Sequence, residues 1–344
     1  MSASSNSLSV NHELAARLAH RSRIRHLVAV MLLVVALLVS CAWTLAIGRL
    51  GIPLASQPQA LVELVTGRGS LALTVLRGPR LAVAVGAGAA LGLAGALFQR
   101  ATANPLVTPD VIGITTAAGA GTAVASALNA PTSLGALGGA LAAGVILPWV
   151  TTTGFRNPGA VIVAGIGVAA AATATTQFVL VFSRQSEAMA LAAALTGSLT
   201  ARTWGDALIV WSVLVPLGLV ALGLRIDLDL ISLGDDVAHG LGSRPARTRT
   251  IALSVGILLT VGAVAAAGPL AFVALTAPHL ARGLTGLPAM GSAALVGATT
   301  VCLADLAVQR LAFLDGLPVG ILTALIGGLF LGAVLISQLR RGFL

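Results

Sequence analysis

The side chains able to do chemistry in this 344-residue chain are few, and their spacing narrows what they can do. His279 follows Pro278, and no second His, Cys, Asp or Glu stands at ligand spacing from it. It therefore reads as a structural hydrogen-bonder, and no metal site is expected. Gly197-Ser198 has no histidine base near it on the same side, and the 11 acidic residues form no carboxylate pair for acid–base work. No catalytic residue is expected. Cys41 and Cys302 both fall inside apolar runs, and neither a disulfide nor a metal site follows from them. The chain contains no lysine, so it cannot carry a P-loop, whose lysine reaches the β- and γ-phosphates. What remains is suited to holding and recognising. Arg77 and Arg80 flank Gly78-Pro79 as a charged anchor. Asp235 and Asp236 suit the first turn of a short helix, where the dipole favours anions, and Gly240 and Gly242 suit its end. That segment reads either as a solvated loop with one helical turn or as a docking helix entering a groove on a cytoplasmic partner. Asp305 stands one residue after an apolar stretch; an acid there is functional or paired, unless an interfacial position makes it cheap.

The elements that must position these groups are membrane helices. Hydrophobic residues make up 57% of the chain and charged ones 9%, with a mean hydropathy of +0.99. So little charge excludes a soluble protein and predicts an all-α polytopic membrane protein. Uncharged runs of this length exclude a transmembrane β-barrel, whose strands alternate over about ten residues. The 40 glycines fit helices that approach backbone to backbone through small residues. The net charge of +9 is all arginine and reads as a topology signal in cytoplasmic loops, with no nucleic-acid partner.

Charges and prolines divide the chain into ten spans. The first covers 27–48 and the second 81–98, each long enough for a hydrocarbon core of about 30 Å. The uncharged run 111–155 holds two more, divided at Asn129-Ala130-Pro131. The fifth lies in 157–183 and the sixth in 206–225. The run 250–281 splits at Gly268-Pro269 into a seventh and a short eighth that ends at Pro278-His279. The ninth covers 283–304 and the tenth 317–339. Ten spans put both termini on one side. With that side cytoplasmic, Arg49, Arg68, Arg77, Arg80, Arg184, Arg202 and Arg310 lie outside and the other thirteen of the 20 arginines inside, as the positive-inside rule requires. The resulting organisation is a cytoplasmic tail over 1–26, a transmembrane domain over 27–339 with a long cytoplasmic loop at 226–249, and a cytoplasmic end at 340–344. The turn at Asn104-Pro105 faces the cytoplasm.

From about residue 27 to residue 342 the chain resembles the FecCD-type permeases of iron-chelate and vitamin B12 ABC importers. The matching pieces run in the family's order. They are Arg77-x-Pro79-Arg80; Gly95 and Gln99; Asn104-Pro105-Leu106 with Pro109 and Gly113; and Gly197-Ser198-Leu199. Leu233-Gly234-Asp235-Asp236-Val237-Ala238-His239-Gly240-Leu241-Gly242 follows. Gly268-Pro269-Leu270-Ala271-Phe272-Val273, Pro278-His279 with Arg282, Ala304-Asp305, and Leu317-Pro318-Val319-Gly320 with Thr323-Ala324-Leu325-Ile326-Gly327 complete the series.

The resemblance implies a type II importer permease in a bacterial inner membrane. Two such chains, identical or paralogous, form the pathway. A substrate-binding (lipo)protein docks outside on arginines that by position are Arg77, Arg80 and, at an altered corner, Arg310. ABC ATPases dock inside on residues 233–242, the coupling helix. This chain binds no cofactor of its own under that reading; ATP and Mg²⁺ belong to the ATPase. The expected cargo is a ferric siderophore or related chelate, with vitamin B12 and haem as alternatives within the family. An ion-coupled secondary transporter would instead place ionisable residues within broken spans. The departures are local. Gln309 stands where the family has a third arginine, Gly316 where it has an acid beside Asp315, and Leu329 where it often has proline. Gly286-Leu287-Pro288-Ala289 is a shortened connection.

Overall fold

A computed structural model describes residues 2–46, 51–66, 69–151, 154–183, 191, 195–286, 289–314 and 316–340. Gly48, Arg49, Arg68, Arg184, Leu287, Pro288, Asp315 and Arg341 lie outside them. The described residues are all-helical. α1 (Ser2–Ala46) leads through the short α2 (Gln57–Val65) to α3 (Gly78–Ala101). Then come α4 (Ile114–Ala127), α5 (Thr132–Val150), α6 (Pro158–Phe182) and α7 (Trp204–Gly223). Two short helices, α8 (Arg225–Ile231) and α9 (Asp235–Gly240), precede α10 (Pro245–Ala267), α11 (Val273–Thr285), α12 (Met290–Arg310) and α13 (Val319–Arg340).

Each of the ten expected spans contains a helix among the described residues, and seven of these helices are long and apolar enough to cross a membrane. α4 with 14 residues, α11 with 13, and the apolar stretch Val319–Val334 of α13 fall short of that length. The first two are short for a local reason. Each begins directly after a left-handed residue, Gly113 (φ 82°) and Phe272 (φ 64°). Irregular backbone of this kind is tolerated at membrane depth where protein packs around it.

Several boundaries differ from those read off the charges. The tail 1–26 is helical from Ser2, continuous with the first span. α3 is preceded without a break by a π-helical turn, Ala72–Arg77, so Arg77 and Arg80 lie within the helical span; Pro79 sits in the first turn, where no N–H is needed. Pro278 does not end α11, which runs on to a left-handed cap at Gly286; α12 accordingly starts at Met290. α12 also continues through Asp305 to Arg310 instead of stopping at Ala304. α7 begins at Trp204 through a capping box in which Thr203 and Asp206 satisfy each other's backbone N–H.

α3, α10 and α12 form the centre. Their membrane-length windows are 78%, 72% and 61% buried, against 17–22% for α1, α5, α6 and α7. The centre closes through glycine. A Cβ at Gly88 or Gly92 of α3 would strike the backbone of Gly297 or Ala293 on α12, and one at Gly297 would strike Gly88. α4 and α5 cross in the same way, Ala117 and Gly121 against Gly135 and Gly139. In both crossings the small residues are four apart, and backbone meets backbone as the glycine content predicted. α1 lies against α12, where the Cys41 and Cys302 thiols meet but are not bonded.

Candidate functional site

Three sequence motifs far apart in the chain converge on one point. Ser198 N–H donates to Ala267 O (3.0 Å) at the end of α10, and Gly320 N–H at the start of α13 donates to Gly197 O (3.2 Å). Gly197 (φ 71°) and Gly268 (φ 76°) are in contact, and a Cβ on Gly197 would press on Pro269 O at 2.5 Å. Only glycine combines that φ with that approach. Gly197-Ser198-Leu199, Gly268-Pro269 and Pro318-Gly320 thus build one elbow, where the 195–200 segment threads between two helix ends.

The connection between α3 and α4 reaches the same place. Asn104 Oδ1 accepts from Leu106 N–H (3.0 Å), closing a turn that Ala103 enters with φ 49°. Pro109 O accepts from Ile114 N–H (3.1 Å). This geometry carries Asp110 inward, where its carboxylate accepts the Thr115 hydroxyl and, at 3.2 Å, the N–H of Phe272. That N–H belongs to the left-handed residue capping α11. Beside it lies a cavity of about 450 Å³. Its wall combines Asp110, Thr115 and Thr116, Thr173, Thr176 and Gln177 of α6, Pro269 and Ala271 of the elbow, and Gly320 and Ile321 of α13. Among the described residues the lining holds one acid and no base, and nowhere do three His, Cys, Asp or Glu side chains gather as a metal site would need. Asp110 went unremarked in the sequence because it sits in a proline turn, yet it is an acid with two donors and a cavity.

At the N-terminal end of α3 the arginines are engaged with the chain itself. Arg77 Nη1 donates to Thr44 O and Leu45 O (both 2.9 Å), capping the end of α1. Arg80 forks onto Asp305, with Nε at 3.1 Å from both oxygens and Nη2 at 2.6 Å from Oδ1. Gln309, one helical turn beyond Asp305, donates to Oδ2 at 2.7 Å. Of the two readings open for Asp305, the paired one holds: its side chain is 2% exposed. The residue that replaces a family arginine is thus a second donor to that acid, while Arg310 is exposed. Arg310 and Arg80 stand close enough to Arg77 to repel it.

At the other end of α3 the polar loop is two helices. Arg100 pairs with Asp229 of α8 and donates to Arg225 O (3.3 Å). Arg249 forks onto Asp235 of α9 (2.5 and 2.7 Å) and holds its carboxyl below the usual carboxylate range. Gly234 enters α9 at φ 108°, and Asp235 and Asp236 occupy its first turn. Ala238 is buried, while Leu233, Val237 and Leu241, four apart, are exposed. His279 Nδ1 lies 3.0 Å from Leu275 O of its own helix, and Gln99 Nε2 lies 3.4 Å from the same carbonyl, joining α3 to α11.

Residues 26–337 match the model of the FecCD transport family. The ferric enterobactin transport system permease protein FepG of Escherichia coli K12 is 34% identical over 329 residues, covering 92% of this chain and 98% of FepG. The Fe(3+)-citrate import system permease protein YfmE of Bacillus subtilis is 33% identical over 333 residues, covering 93% and 98%. A chain described as a metal-chelate type ABC transporter in an inward-facing conformation superposes with a TM-score of 0.77 at 24% identity, covering 90% of this chain and 99% of that one.

Proposed function

The chain belongs to the FecCD transport family, and from that premise we propose that it is the permease subunit of an ABC importer for a ferric siderophore or related iron chelate. The observation that carries this reading is the near end-to-end match with two permeases whose names specify ferric enterobactin and Fe(3+)-citrate. The geometry agrees in kind: a walled cavity lies between helices, and a short exposed helix stands at one end. In this reading the chain crosses the membrane ten times with both termini cytoplasmic, and a second permease chain covers the cavity face. A separate ATPase holds ATP and Mg²⁺.

Val237 of α9, with the exposed Leu233 before the helix and Leu241 after it, offers an apolar edge for a groove on that ATPase, in the helix-in-groove mode. The binding protein docks at the opposite end on Arg77, Arg80 and Arg310. Arg80 uses Nε and Nη2 on Asp305, so acids of the binding protein would meet its remaining edge together with the exposed Arg310. Closure of the ATPases moves α8 and α9 and switches the pathway between outward-open and inward-open.

The test is uptake of radiolabelled ferric chelates by a strain lacking the gene. Loss of one chelate class, restored by the gene, is the expected result. Unchanged iron uptake with loss of vitamin B12 or haem uptake would reassign the cargo. Uptake that persists when the associated ATPase is inactivated would point to ion-coupled transport instead.

A further inference from the structure

We infer that Arg249 is a positioning residue that ties α9 to the end of α3, so that a displacement of α9 enters the centre of the bundle directly. The inference rests on the reading of α9 as the ATPase dock. α9 has only six residues and packs within the chain against α8 and α10, with Ala238 its one buried side chain. A helix so short is not self-supporting. Arg249, in the first turns of α10, supplies the hold. Its Nη1 and Nη2 clasp Asp235 at 2.5 and 2.7 Å, and its Nε donates to Ala101 O at 3.0 Å. Ala101 is the last residue of α3, whose terminal carbonyls lack helical partners and carry the negative end of the dipole.

One guanidinium therefore bonds three helices: its own α10, the acid that starts α9, and the end of α3. A second arginine works beside it in the opposite direction. Arg100, from α3, holds Asp229 and Arg225 O of α8. The α8–α9 hairpin is thus fastened to α3 at both of its members, and α3 is the most buried of the seven membrane-length helices among the described residues. The Arg249 side chain is 11% exposed, whereas Asp235 is 53% exposed. The arginine is fixed in the bundle and the acid stands at its surface, the arrangement of a bracket and the part it holds. Lysine could not replace it, since a single ammonium lacks the planar fork that serves a carboxylate and a carbonyl together.

The experiment uses the full complex in proteoliposomes, with ATPase, binding protein and ferric chelate, and reads chelate transported per ATP hydrolysed. Arg249→Ala and Arg249→Lys are expected to keep the ATPase bound and the unfolding temperature near that of the parent, while the ratio falls about fivefold or more. The paired exchange Asp235→Arg with Arg249→Asp re-forms the ion pair but not the bond to Ala101. It is expected to remain uncoupled. Recovery of the parent ratio by that exchange, or an unchanged ratio in Arg249→Ala, overturns the inference. Val237→Asp reports on the underlying reading: if the ATPase still binds normally, α9 is not its dock, and the inference falls for that reason instead.

Discussion

An arginine–aspartate fork stands at each end of α3, and the two forks differ in everything but their chemistry. Arg80–Asp305 joins residues 225 apart, with the acid 2% exposed and Gln309 filling its free lone pair. Arg249–Asp235 joins residues 14 apart, with the acid 53% exposed. A buried pair contributes little net stability but is expensive to halve, because a charge is left without water or partner. A pair whose acid stands in water while its arginine is held in the bundle is partly screened, and neutralising that acid costs less. The first suits a fixed end and the second an end that moves.

The largest expected effect is therefore on the Arg80 side. Asp305→Ala should destabilise the detergent-solubilised protein by about 3–5 kcal/mol in a denaturant titration, whereas Arg80→Met with Asp305→Leu should recover most of that loss. A double variant as unstable as the single would mean that the pair holds more than itself. Next comes the middle of the same helix. Gly92→Val, pressing on the backbone of Ala293, should cost about 1–3 kcal/mol or more. Gly167→Ala on α6, where a Cβ meets nothing within 4 Å, should cost almost nothing. Smaller still, Asp235→Asn should change stability by less than about 1 kcal/mol while lowering transport per ATP. The smallest effect is that of pH. The Asp235 carboxyl is depressed from its ordinary value of 3.8, so the pair is fully formed above that value and lost only as pH falls below it. Coupling should be flat across neutral pH. A decline on mild acidification would assign it to another group.

Much of this was legible in the sequence. The ten helical segments, the role of glycine at crossings and the short helix at Asp235 follow from period, charge and capping, which are local. What was not legible depended on partners far along the chain. The span 283–304 was closed at Asp305 because a lone acid reads as an end; Arg80, 225 residues away, neutralises it and lets α12 run on to Arg310. Pro278 was read as a stop, but α11 is packed among neighbouring helices, where an interior proline is tolerated. Gly197, Gly268 and Gly320 stand far apart in the sequence, and only the fold makes them one elbow. Arg77 and Arg80 read as a charged anchor at the end of a span. Their carbonyl and carboxylate partners within the chain, on α1 and α12, have no signature in spacing.

The two backbone-on-backbone crossings also limit how the molecule can deform. Where Gly88 and Gly92 meet Ala293 and Gly297, no side chain lies between the helices to change rotamer, and the same holds between α4 and α5. Each pair is in effect a single stiff beam. The cavity around Asp110 is walled by α4 and its neighbour α6 on one side, and by the elbow and α13 on the other. Any widening or narrowing of that space therefore carries α4 together with α5 as one body, or shifts the opposite wall at the Gly197–Gly268 elbow.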